Sequence, residues 1–266
     1  MAITESMLHS PTHAGNITTC EHEIAVGPRT QALNKLFARW STQTTDPGKF
    51  NPDGILNEQV WEKARPRIAL LMKETYDLTG DLRKHLLWQI GEEKRPRHCS
   101  IWPKVAGRWI AGILHQEAHK EQAAPIKTFG DVALIRNEDW QHENWRLGLA
   151  SSAVINLKKL TGRSSAQNAE LLAAARRDLA FLKEELEIIQ PDVVLCCHTF
   201  HIARQASLIP EAPPLSASTR CYQVGRQVWI DFCHPQARFP HDLMYYRLMM
   251  IWQRLTPSWR HVAGTG

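Results

Sequence analysis

No stretch of about 18 consecutive apolar residues occurs in this chain, and no basic segment leads into an apolar one at its start. A membrane-spanning helix and a secretory leader are therefore not expected. The reading is of a soluble, cytoplasmic protein with reduced thiols. None of the 6 Cys (Cys20, Cys99, Cys196, Cys197, Cys221, Cys233) forms a CxxC pair, so neither a zinc module nor an iron–sulfur cluster is expected. Neither a P-loop nor a GxGxxG is present, which argues against the usual phosphate-cradling folds. Gly (14) and Pro (15) are too few for a low-complexity chain, and a net charge of +5 is compatible with a polyanionic partner without requiring one. No metal or organic cofactor is implied.

With 43 % hydrophobic residues among 266, the chain can bury one large α/β domain. Residues 1–30 lack periodicity and are expected to form a disordered tail, leaving 31–266 as a single domain. Residues 31–43 can form an amphipathic helix. Residues 117–145 follow no clear pattern and are assigned to an insertion or lid. Four short, continuous apolar runs predict buried strands: 68–72 ("IALLM"), 153–157 ("AVINL"), 192–197 ("DVVLCC") and 227–233 ("QVWIDFC"). Helical patterns lie between them. In one of these Leu172, Ala175, Leu179, Leu182, Leu186 and Ile189 recur at alternating steps of three and four, and Pro191 ends the helix. The alternation predicts a three-layer α/β/α sandwich with a central, mostly parallel four-stranded sheet.

Ligands of such sheets bind beyond the carboxyl ends of the strands. The residues at those ends are Lys73-Glu74-Thr75-Tyr76-Asp77, Asn156-Leu157-Lys158-Lys159, Cys197-His198-Thr199 and Cys233-His234-Pro235-Gln236. If the strands are parallel, one rim gathers a carboxylate, a carboxamide, two imidazoles and lysines.

In order and spacing, "IALLMKETYD", "SAVINLKKL", "IIQPDVVLCCHTF" and "WIDFCHPQAR" resemble the motifs of the uracil-DNA glycosylase superfamily over roughly residues 66–250. The resemblance implies a base-excision DNA-repair hydrolase that cleaves an N-glycosidic bond in single- or double-stranded DNA, acting as a monomer. It implies that Asn156 reads the base edge, since a carboxamide both donates and accepts. His234 would donate to the base as negative charge develops on it. Pro235 would hold the loop close to the ligand. Glu74 would orient water or support the cationic sugar. Thr75 would border the base, and Tyr76 would stack on it. Lys158, Lys159, Arg163 and Arg238 would hold phosphates.

The chain departs from the family pattern. Lys73 stands where the family usually has Gly, Thr75 where it has Asp, Asn or Ala, Gln236 where it has Ser, and His198 where it has Gly. A divergent member without the cluster is expected. Two alternatives remain open: a catalytically inactive nucleic-acid or nucleotide-binding protein of the same fold, and an unrelated doubly wound enzyme. Each residue also has a structural alternative. Glu74 could pair with a lysine, Asn156 could close a turn, His234 could bond to backbone, and the basic residues could form a solvated loop.

Overall fold

Strand pairing begins with continuous burial. All five residues of Ile68–Met72, Ser152–Asn156 and Val193–Cys197 are inaccessible on both faces. The computed structural model describes residues 26–92, 101–118, 138–162, 166–212, 214–216 and 219–263. Among them one sheet is built from β1 (Gly54–Ile55), β2 (Ile68–Met72), β3 (Ser152–Asn156), β4 (Val193–Cys197), β5 (Pro214–Ser216), β6 (Thr219–Val224) and β7 (Gln227–Phe232). The spatial order is β1-β3-β2-β4-β7-β6-β5. The four central strands β3, β2, β4 and β7 are parallel, and β1, β6 and β5 pair antiparallel at the edges. The protein is thus mixed α/β, and the expected four-stranded sheet is corrected to seven strands.

The added strands have physical reasons to escape notice. β1 has two residues and β5 three, too few for any periodicity. β6 reads "TRCYQV", which is no apolar run. It returns into β7 through a two-residue loop, Gly225-Arg226, with Val224 opposite Gln227 and Gly225 at φ 57, the conformation that suits glycine at the first central position of a tight hairpin.

The helices are α1 (Pro28–Ser41), α2 (Glu58–Trp61), α3 (Leu82–Gly91), α4 (Trp102–Ala118), α5 (Glu138–Ala150), α6 (Asn168–Arg177), α7 (Leu179–Ile189), α8 (Phe200–Gln205) and α9 (His241–Ala263). Successive strand residues point to opposite faces. Ile68, Leu70, Val154, Leu195 and Ile230 join Leu86, Trp109, Leu149 and Leu248 in one apolar cluster. Ala69, Leu71, Ile155, Val194 and Trp229 join Leu36, Leu171, Leu182 and Ile202 in another. No described helix is long and apolar enough to cross a membrane.

Three boundaries differ from the sequence expectation. α1 starts at Pro28 and buries Thr30, so the end of the expected tail is ordered helix; residues 1–25 lie outside the described residues. The single helix expected before Pro191 is two helices, parted at Asp178 (φ −98, ψ 13), whose carboxylate accepts from the Arg177 guanidinium. The break rotates the stripe, so Leu171 and Ala174 are buried while Leu172 and Leu179 are only partly covered. Within the expected insertion, α4 runs on to Ala118 and α5 begins at Glu138; residues 119–137 lie outside the described residues.

α4 and α5 touch through backbone. A Cβ at Gly107 would collide with the Trp145 carbonyl, and one at Gly148 with the Gly107 carbonyl. Neither neighbour can swing aside as a side chain could. Gly148→Ala should therefore destabilise the fold by about 1–3 kcal/mol, the usual cost of overpacking. Urea unfolding of the two proteins checks this, and a difference within error would show that the helix pair yields without cost.

Candidate active site at the carboxyl ends of the strands

The crossovers from β2 to β3 and from β4 to β7 leave the β2–β4 boundary in opposite directions. That boundary is a topological switch point, where open α/β sheets form a crevice at the strands' carboxyl ends. Along this rim the order is Asn156 (β3), Lys73-Glu74 (after β2), His198 (after β4) and His234 (after β7). At a strand spacing of about 4.8 Å, β3 and β7 lie roughly 14 Å apart, with β2 and β4 between them.

Two backbone bonds set the His198 turn: its N–H donates to Cys196 O (2.9 Å) and Phe232 O (2.8 Å). Its φ is 61, a conformation that favours glycine. Desolvation, with the charge of Lys73 and the neighbouring His201 ring, lowers the His198 pKa. His234 is shaped more strongly. The Gln236 backbone N–H donates to His234 Nδ1 at 3.1 Å, so the neutral ring carries its proton on Nε2. Burial, then the charge of Lys73, then His198, pull the His234 pKa down to about 4. The buried Pro235 follows directly. His234 is thus a neutral N–H donor throughout the physiological range.

Stability should report this shift. Below pH 6.5 the unfolded chain protonates His234 while the folded protein resists until about pH 4. Stability from this group is complete above pH 6.5 and is lost as pH falls through that window, by about 3 kcal/mol in all. The difference in unfolding free energy between wild type and His234→Gln should shift by that amount between pH 7 and pH 4. A pH-independent difference would mean that the ring titrates normally.

Asn156 is 2 % exposed. Its backbone N–H and its Nδ2 both donate to Asp53 Oδ2, at 2.8 and 3.1 Å. Asp53 therefore sets the orientation of the carboxamide, and Oδ1 accepts no hydrogen bond among the described residues. Asp53 belongs to a buried group that sequence reasoning missed. Lys159 Nζ donates to Asp53 Oδ1 (2.5 Å) and to Glu185 Oε1 (3.0 Å), and it lies over the Phe37 and Trp40 rings. Lys159 is 2 % exposed. The expectation that it holds a DNA phosphate is corrected, because its charge is spent inside the protein. Burial drives the Glu185 carboxyl well above the usual range, against the pull of Lys159.

Glu74 is also partnered. Lys158 Nζ donates to its Oε2 at 2.6 Å, with Glu170 at 4.0 Å from the same ammonium. The carboxylate lies where any side chain at Gly162 would be. Lys158 is thus a partner of Glu74 and not an unencumbered phosphate ligand. Thr75 is buried, and its Oγ1 has no hydrogen-bond partner among the described residues. Tyr76 stands 60 % exposed, and the neighbouring Asp77 raises the pKa of its hydroxyl. Arg238 is exposed beyond β7, and Arg163 lies outside the described residues.

The rim therefore brings together Lys73, His198 and His234 electrostatically. Asn156 and Glu74 sit at adjacent strand ends, each fixed by its own partner. A cavity of about 700 Å³ lies at the opposite rim among Arg65, Arg67, Lys183, Asp192 and Arg226, and includes none of these residues. Among the described residues no three His, Cys, Asp or Glu side chains gather as a metal site. No protein-family model, curated protein or solved structure matches the chain.

Proposed function

We propose that the protein is a uracil-DNA glycosylase-like hydrolase of three-layer α/β/α build, which removes a deaminated or otherwise damaged base from DNA by hydrolysing its N-glycosidic bond. The reading rests above all on His234, a neutral imidazole whose Nδ1 is occupied by backbone and whose Nε2–H is left as a donor on the rim, one strand from the switch point. The glycine-type backbone at His198, where the family usually has Gly, adds support.

The chemistry needs a base extruded from the stack, since its glycosidic bond is otherwise shielded. Asn156 Oδ1, aimed by Asp53, accepts an N–H from the base edge. As the bond to the sugar breaks, charge grows on the base, and His234 Nε2–H donates to the oxygen that carries it. Lys158 takes one oxygen of Glu74, and the other orients the attacking water beside the cationic sugar. Arg238 contributes a sequence-blind phosphate contact.

The partnered state of Asn156 and Glu74 favours a second reading, a protein of the same fold that binds nucleic acid without cutting it. One experiment separates the two. Single- and double-stranded oligonucleotides carrying uracil, hypoxanthine or xanthine are incubated with the protein and then treated with alkali. Strand scission that disappears in Asn156→Ala and His234→Ala supports the hydrolase. Salt-sensitive binding without scission supports the binder.

A further inference from the structure

Three lysines stand near this rim, and two have spent their charge: Lys158 on Glu74, and Lys159 on Asp53 and Glu185. Lys73 differs. It is half-buried and forms no ion pair among the described residues. The sheet register fixes its place. Leu71 lies opposite Cys196, and Cys197 opposite Phe232, so two residues further along β2 Lys73 is level with His198, and His198 with Cys233. Lys73 thus stands at the switch-point crevice between β2 and β4, beside His198, with the residues that follow β7 one strand further along the rim. Its charge acts on both His198 and His234.

From this geometry we infer that Lys73 is a Schiff-base nucleophile and that the protein is also an abasic-site lyase. The inference rests on the base-excision reading, because the same crevice must hold the deoxyribose. Base removal leaves a sugar whose ring opens to an aldehyde at C1′. Unprotonated Lys73 Nζ adds to C1′, and the resulting carbinolamine loses water to give an iminium. The iminium acidifies C2′–H; that proton passes to the His198 imidazole, the C3′–O3′ bond breaks, and its electron pair leaves with the 3′-phosphate. Water then hydrolyses the conjugated imine, releasing an unsaturated aldehyde and restoring the amine. No oxidant or reductant is consumed. Desolvation lowers the Lys73 pKa, which enlarges its free-amine fraction, and the neighbouring Glu74 charge opposes this only in part. His198 is likewise shifted toward the neutral form that can accept a proton.

The test uses an oligonucleotide with a preformed abasic site, so that no base excision is needed. Full-length protein is incubated with it in sodium cyanoborohydride, which reduces a Schiff base to a stable amine. The inference expects a covalent protein–DNA complex, mapped by mass spectrometry of the digested wild type to the peptide containing Lys73. It expects trapping and strand cleavage by Lys73→Arg to fall to the level of a no-protein control, in a variant whose melting temperature shows it folded. The wild-type map stands even if the variant does not fold. Absence of a complex, a map to Lys158 or to the amino terminus, or undiminished trapping by Lys73→Arg would each overturn it. Base excision without trapping would defeat the lyase alone. Trapping on Lys73 without excision of any damaged base would defeat the hydrolase alone.

Discussion

Replacing Lys159 with methionine should cost about 3–5 kcal/mol of stability, the penalty for stranding buried charge without its partner. The side chain lies between Asp53 and Glu185, both fully buried, and satisfies one oxygen of each. Methionine fills most of the volume, so packing changes little and the loss is electrostatic. In a domain of this size such a loss lowers the melting temperature by about 10 °C or more. Its pH dependence distinguishes the cause. Burial already raises the Glu185 carboxyl in the wild type; with no cation between the two carboxyls the folded variant holds more protons than the folded wild type above the ordinary carboxylate range, and the unfolded chain releases them. The variant's deficit should therefore grow as pH rises from 5 to 8. Denaturant titrations at both pH values measure it; a deficit below about 1 kcal/mol, or one that shrinks with pH, would show that Lys159 is a minor contributor. The consequence reaches the rim, because Asp53 also fixes the Asn156 carboxamide.

His234→Ala should lower single-turnover base excision by about 10²–10³, the range for losing one donor aimed at developing charge. Binding of the damaged oligonucleotide should change far less, since the donor matters most when the base becomes anionic. The pH profile carries the same claim. A histidine acting in its protonated form would lose activity above pH 6.5. One held neutral with a pKa of about 4 gives a rate that does not fall between pH 6 and 8 through this group, and loses its neutral form only in acid. A rate that climbs toward pH 5 in wild type but not in the variant would reverse the assignment.

Burial on both faces made the central sheet legible. Strands β2, β3 and β4 are buried along their whole length and β7 at four of its six positions, each around a short apolar run, and the polar residues that end them fall on one rim because the strands are parallel. The edge strands were not legible, being short or of mixed polarity. Lys158 and Lys159 looked alike in sequence, two cations after a strand. What separates them is which carboxylate folds against each: Glu74 for one, and Asp53 and Glu185, 106 and 26 positions away, for the other. Asp53 sits in a turn-rich stretch where aspartate is ordinary. Glu185 had a faint signal, a carboxylate on the apolar side of α7 between Leu182 and Ile189. The placing of His234 came from an apolar run ending in His-Pro; its tautomer came only from the Gln236 N–H.

The central claim is that Asn156 and His234 face one base from opposite sides of the crevice. Side-chain NMR tests it most directly. Free uracil, hypoxanthine and xanthine are titrated into the protein while the Asn156 carboxamide and the His234 ring nitrogens are followed together. The account predicts that at least one base moves both sets of resonances along a single binding curve, with Nε2 still protonated at neutral pH. Resonances that respond to different bases with different affinities, or an Asn156 signal that stays still while His234 shifts, would contradict it.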